Sequence, residues 1–244
     1  MPNVVVEELA LDDQPPALLV RPEAGRPSGQ PGVLGLHWLG HHRNDRTHLL
    51  PDAVRLAQRG VVTVLPQGVF PWLEDPRGDD SDAQAVAAQA RRTRLALGAL
   101  VAHPLVEPER VAVTGHDYGA MFALTLRDVP LRGMVVAAPD ATWDHWFRTY
   151  WPVEASVPDE YAGQFRPWDP LAGARHHQDH LLLQWAGKDE YVEPVVRELY
   201  AAAAPRAAQT LHERYDHQLG DRVVEERLRY LCDVLEVAEV PQPA

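Results

Sequence analysis

The sequence predicts an α/β chain: a mostly parallel central sheet of about eight strands flanked by helices. Apolar runs of strand length alternate with longer stretches of helical period. Turn-forming Gly, Pro and Asp residues separate them, and no repeat or low-complexity linker divides the 244 residues. One domain spanning 1–244 is therefore expected, with a small cap-like insertion at about 140–179.

The elements follow in order. Residues 4–8 and 17–21 flank Asp12-Asp13-Gln14-Pro15-Pro16 and read as a hairpin. After the Gly/Pro-rich loop at 25–32, strands are expected at 33–38, 61–65, 110–114, 133–137, 180–185 and 209–213. Helices are expected at about 47–58, 82–101, 118–127, 193–203 and 221–237. In the last, Val224, Leu228, Leu231 and Leu235 recur at three- and four-residue spacing and mark an inner face. The insertion breaks this rhythm and reads as irregular. It holds Trp143, Trp146, Trp151 and Trp168, four of the seven tryptophans, with Phe147, Tyr150, Tyr161 and Phe165. Such residues cover an apolar pocket or pack the excursion onto the sheet, and the two roles are compatible.

Composition excludes several functions. Lys and Arg total 23 against 35 Asp and Glu, a net charge of −12, which argues against a phosphate-backbone partner. The lone Cys232 permits neither a disulfide framework nor a cysteine-based zinc site, and it reads as packing. No apolar run reaches the roughly 18–20 residues that span a bilayer, and the N-terminus lacks a secretory pattern, so a cytoplasmic protein is expected. His176, His177 and His180, and the pair His41 and His42, raise the question of a metal, but their spacing matches no zinc motif and no ligand set is assigned. Serine occurs only at Ser28, Ser81 and Ser156, so few positions can supply a serine nucleophile.

The chemistry concentrates after the strand at 110–114, where Gly115-His116-Asp117-Tyr118-Gly119 leads straight into a helix. Small residues two before and two after a central side chain let the backbone turn sharply and hold that side chain above the sheet edge. The central residue is Asp117, and none of the three serines falls in such a turn. Two later segments complete the order nucleophile, acid, histidine: Trp185-Ala-Gly-Lys-Asp189 ends a strand, and Tyr215-Asp-His217 follows the last one.

These segments resemble the α/β-hydrolase superfamily over most of the chain from about residue 33. The compact body is similar to dienelactone-hydrolase-like and prolyl-oligopeptidase-like proteins, while Gly-His-Asp-Tyr-Gly is similar to the aspartate elbow of epoxide hydrolases and haloalkane dehalogenases. The resemblance implies a hydrolase with an Asp117, His217, Asp189 triad acting through a covalent alkyl-enzyme ester on a small epoxide, halide or ester. Asp140 is the alternative acid, because some aspartate-nucleophile relatives carry theirs there, and Asp189 has its own reading as a helix cap. By analogy the oxyanion-hole donors are the backbone amides of Trp38 and Tyr118, although Trp38 stands where relatives usually have glycine. His37, His116, Trp143, Trp146, Tyr150 and Tyr161 are candidates for the substrate pocket, with Tyr150 or Tyr161 as the acid for an epoxide and Trp38 or an insertion tryptophan as an indole donor to a halide. No cofactor is expected. The partners expected are a small-molecule substrate and, in a homo-oligomer, further copies of the chain, with no nucleic acid and no membrane. The alternative is a catalytically degenerate relative that binds a ligand or a partner.

Overall fold

The architecture was obtained as a computed structural model that describes residues 3–12, 14–23, 29–40, 45–153 and 158–237. Strands β1 (Val4–Leu9), β2 (Ala17–Pro22), β3 (Gln30–Leu36), β4 (Val62–Leu65), β5 (Val106–His116), β6 (Gly133–Ala137), β7 (Leu181–Ala186) and β8 (Ala208–His212) form one sheet in the order β1-β2-β4-β3-β5-β6-β7-β8. β1 and β2 are antiparallel to their neighbours, as the expected hairpin requires, and every later pair is parallel.

Five helices stand close to where periodicity put them: α1 (Leu50–Gln58), α2 (Asp80–Val101), α3 (Tyr118–Ala123), α7 (Pro194–Ala203) and α8 (Asp221–Val234). α3 is shorter than expected because the chain tightens after Ala123. There Thr125 and Leu126 donate to Phe122 and Ala123, three residues back rather than four. Alternate residues of the central strands serve opposite layers, as a period of two demands. Leu34, Val113 and Val136 pack with α2 and α3, whereas Val33, Ala112 and Val135 pack with Leu56 of α1 and with Leu228, Leu231, Cys232 and Leu235.

Between β6 and β7 the expected irregular stretch is instead helical: α4 (Trp143–Tyr150), α5 (Pro158–Gly163) and α6 (Pro170–His177). These helices have six to eight residues and are bounded by Pro152, Pro158, Pro167 and Pro170, so none is long enough to show a clear period. Asp13 of the expected turn, Gly25 and Ser28 of the following loop, His41, His42 and Ser156 lie outside the described residues. Among the described residues no helix is long and apolar enough to cross a membrane, and no group of three or more His, Cys, Asp or Glu side chains is placed to hold a metal ion.

β3 and β5 are adjacent but lead to opposite sides of the sheet, because β4 returns on one side and β6 on the other. The crevice beyond the carboxyl ends of two such strands is where open α/β sheets bind ligands. Asp117 emerges there.

Candidate active site

Asp117 sits where the sheet ladder hands over to a helix. Its N–H donates to Ala137 at 2.9 Å, extending the β5–β6 pairing, while its carbonyl accepts from Met121 at 3.1 Å and starts α3. Between the two, Asp117 adopts φ 58° and ψ −123°, a conformation that costs a non-glycine residue roughly 1–3 kcal/mol. The flanking glycines make the turn sterically feasible. A Cβ at Gly115 would lie 2.4 Å from the Gly119 carbonyl oxygen, and one at Gly119 would lie 2.3 Å from that of Leu36. No side chain fits at either position.

The Asp117 side chain is only 8% exposed and its two oxygens have different surroundings. Oδ2 accepts the Leu39 amide at 2.9 Å, and the Tyr118 amide, next along the chain, also favours the ionised carboxylate. Oδ1 stands 3.9 Å from His217 Nε2, beyond direct hydrogen-bond length. The imidazole is 2% exposed and its Nδ1–H donates to Asp189, with Oδ1 at 2.9 Å and Oδ2 at 3.0 Å, so the neutral ring presents Nε2 as an acceptor toward Asp117. Asp189 Oδ1 also accepts the Tyr191 and Val192 amides at 2.9 Å, which locks the carboxylate in place. Asp140 is turned elsewhere: Oδ2 lies 2.6 Å from His145 Nδ1, and Oδ1 accepts the Ala141 amide at 2.5 Å.

Burial raises the Asp117 pKa to about 7, against the lowering influence of His217 and of the Leu39 and Tyr118 amides. For His217, burial opposes the charged form. The Asp189 hydrogen bond and the charges of Asp117, Asp189 and Glu190 outweigh it and raise its pKa above the ordinary imidazole value.

A cavity of about 340 Å³ opens onto this pair, lined by Trp38, Leu39, Gly40, Asp117, Tyr118, Trp146, Tyr150, Trp151, Tyr191 and His217. Of the expected pocket residues, Trp146 and Tyr150 line it; His37, His116, Trp143 and Tyr161 do not. His37 lies behind the loop, where Nε2 accepts the Gly68 amide at 3.0 Å and Nδ1–H donates to the Trp38 carbonyl at 3.1 Å. His116 is stacked on Trp38 at 5.1 Å, and its Nε2–H donates to the His217 carbonyl at 2.8 Å, which ties the elbow to the histidine loop. Trp143 faces the core, packing on Phe122 at 4.6 Å and donating its indole N–H to Trp168 at 2.9 Å. The Tyr161 hydroxyl donates to Asp82 at 2.6 Å, on the α2 side of the insertion.

The loop amide that reaches Asp117 is also corrected: it belongs to Leu39, not Trp38. The peptide joining them is planar and trans, so its carbonyl and N–H point in opposite directions. The Trp38 carbonyl is held by the Trp72 indole at 3.0 Å, and the Leu39 N–H is thereby aimed at the elbow.

No family model matches the sequence, and no curated protein matches it. Solved structures do. TT1662 from Thermus thermophilus superposes with a TM-score of 0.70 at 19% identity, covering 97% of this chain and 100% of that one. A candidate dienelactone hydrolase from Klebsiella pneumoniae gives 0.68 at 14% identity over 96% and 99% of the two chains. A thermophilic esterase from Thermogutta terrifontis, solved with butyrate bound, gives 0.66 at 15% over 99% and 97%. The chain has the α/β-hydrolase fold.

In an α/β-hydrolase fold the elbow is local in sequence, which is why Asp117 could be read directly. The cavity wall is not. Trp151 was legible only as one of the insertion aromatics, and Leu39, Gly40 and Tyr191 carry no motif of their own, although Tyr191 follows Asp189 by two positions and Leu39 and Gly40 follow Trp38 directly. Those spacings were the only available signal.

Proposed function

We propose that this protein is a hydrolase of small molecules in which Asp117 is the nucleophile. The observation that carries the reading is the division of labour in one carboxylate: Oδ2 engages the Leu39 amide while Oδ1 faces His217 at the cavity. In the first half-reaction Oδ1 attacks a saturated carbon, the carbon–leaving-group bond breaks with its electron pair on the leaving group, and an ester of Asp117 forms. In the second, His217 Nε2 takes a proton from water as that water adds to the Asp117 ester carbon. The Leu39 amide holds the charge that develops on Oδ2, with the neighbouring Tyr118 amide in support, and collapse releases an alcohol and restores the aspartate. Asp189 orients the imidazole and stabilises the imidazolium.

The two steps support each other electrostatically. The charge on Asp117 is one of the causes that hold a proton on His217. Alkylation removes that charge and so shifts His217 toward its free base when a base is needed, while Asp189 still holds the ring.

Donors for the leaving group are at hand. Trp38 and Trp146 line the cavity, and their buried indole N–H groups have no hydrogen-bond partner among the described residues, so a departing halide that draws them toward the cavity gains donors at no cost in existing bonds. The Tyr150 hydroxyl, at the cavity and bonded to the Tyr191 carbonyl at 2.9 Å, suits an opening epoxide. Single turnover in heavy-oxygen water tests the reading: label must appear in the peptide that carries Asp117. An active preparation that leaves this peptide unlabelled overturns it. Absence of turnover on esters, epoxides and haloalkanes favours a ligand-binding protein instead.

A further inference from the structure

The cavity wall is made of aromatic rings in contact with one another. Tyr118 meets Trp146 at 4.6 Å and Trp151 at 6.0 Å, Trp146 meets Tyr150 at 6.2 Å, and Tyr150 meets Tyr191 at 5.5 Å. Tyr191 continues to His217 at 4.9 Å, and His217 to Trp38 at 5.5 Å. Among the described residues six of the ten that line the cavity are Trp or Tyr, and Leu39 is the sole aliphatic one. The chain has four phenylalanines, yet none lines the cavity; Phe147 and Phe165 of the same insertion pack in the core behind it. Indole and phenol present ring faces of stronger negative potential than benzene and attract cations better.

Charge points the same way. Among the described residues no Lys or Arg lines the cavity, and the one carboxylate there is Asp117. A second carboxylate, Asp75, holds the Trp151 indole N–H at 3.0 Å at the edge of the wall. We infer that the enclosure takes a small organic cation, a quaternary or tertiary ammonium bound against the Trp and Tyr faces beside Asp117. Substrate identity in this form rests on the nucleophile reading above: the substrate class is a short alkyl halide or epoxide that carries the ammonium group. Oδ1 forms the new C–O bond as the halide leaves with the bonding pair, or as the epoxide oxygen takes that pair and a proton from Tyr150, and hydrolysis of the ester releases an ammonium-bearing alcohol from the halide or diol from the epoxide. A cation in this position also favours the ionised Asp117, against the burial that raises its pKa to about 7.

Binding and turnover separate the two readings. Choline, a product-type probe, is titrated against its uncharged isostere in which a tert-butyl group replaces the trimethylammonium, with tryptophan fluorescence and calorimetry as readouts. Choline should bind at least about tenfold more tightly. Trp151→Leu should remove most of that preference while changing affinity for the isostere by less than about threefold, and Trp151→Phe should fall between. Equal affinity for the two probes, or tighter binding of the isostere, overturns the inference even if neutral halides are hydrolysed through a labelled Asp117. Preferential choline binding without hydrolysis of any ammonium-bearing halide or epoxide leaves the cation site standing and overturns the nucleophile. If Trp151→Leu fails to fold, the Trp151→Phe comparison decides: an undiminished choline preference counts against the site.

Discussion

The Leu39 amide donates to Oδ2 of Asp117 at 2.9 Å, so the nucleophile candidate already occupies the position in which its own ester carbonyl would be polarised. One oxygen is committed to that role, and the other faces His217 at 3.9 Å. Several consequences can be measured.

Replacing His217 by Ala should separate the half-reactions. Formation of the Asp117 ester needs no base, whereas its hydrolysis does, so the second step should slow by roughly a hundred- to ten-thousand-fold. Intact-mass analysis should show the alkylated protein accumulating to one equivalent. A variant that turns over without accumulation would remove His217 from this role.

The two half-reactions should respond to pH in the same direction. Asp117 must be ionised to attack, and burial puts its pKa at about 7, so ester formation should weaken as pH falls through about 7. Ester hydrolysis needs neutral His217, and the Asp189 hydrogen bond that favours its charged form persists in the ester, so it too should fail on the acid side. Single-turnover rates across the pH range check this; a rate that rises toward acid would contradict it.

Asp117→Asn should abolish turnover and yet stabilise the fold at alkaline pH. A carboxyl whose folded pKa is raised binds its proton more tightly in the native state than in the unfolded chain. Stability is therefore lost as pH rises from the unfolded value near 4 through the folded value of about 7. Urea denaturation should show the variant gaining roughly 2–4 kcal/mol over wild type at about pH 8, with a much smaller difference at about pH 5. A gap that does not grow with pH would refute this.

The two candidate acids should behave differently. Asp189→Asn disturbs the tautomer and orientation of His217 and should reduce kcat by roughly a hundred- to ten-thousand-fold. Asp140→Asn touches His145 and the Ala141 amide instead, so activity should stay within about tenfold of wild type while stability drops by about 1–3 kcal/mol. Kinetics of the paired variants, with melting temperatures alongside, would expose the opposite assignment.

Gly119→Ala should destabilise by roughly 1–3 kcal/mol or more, because its Cβ would meet the Leu36 carbonyl at 2.3 Å and both backbones are anchored in the central sheet and α3. That corresponds to a fall in Tm of several degrees, which calorimetry would detect. A neutral result would mean that β3 and α3 approach less closely than described.

Much of the architecture was legible because it is local. Strand and helix periodicity, and the glycines at 115 and 119, act over a few residues, and the order of β1 to β8 follows from them, although β3 begins at Gln30, inside the expected loop, and β5 at Val106, ahead of its expected start. The insertion escaped because its helices are too short to display a period between prolines.

Within the site the same distinction holds. The order Asp117, Asp189, His217 could be read along the chain, since each follows a strand end. Which peptide N–H meets Oδ2 could not: that depends on the Trp72 indole, 34 residues from Trp38, turning the Trp38 carbonyl away from the elbow. Nor could the choice of Trp146 over Trp143, three residues apart on α4, as the ring that reaches the cavity. By itself the sequence determined the order of the elements and the chemical identity of the groups at the strand ends. Tertiary structure alone decided which backbone amide and which aromatic faces surround Asp117, because loop peptides and short helices take their orientation from distant packing partners rather than from their own sequence.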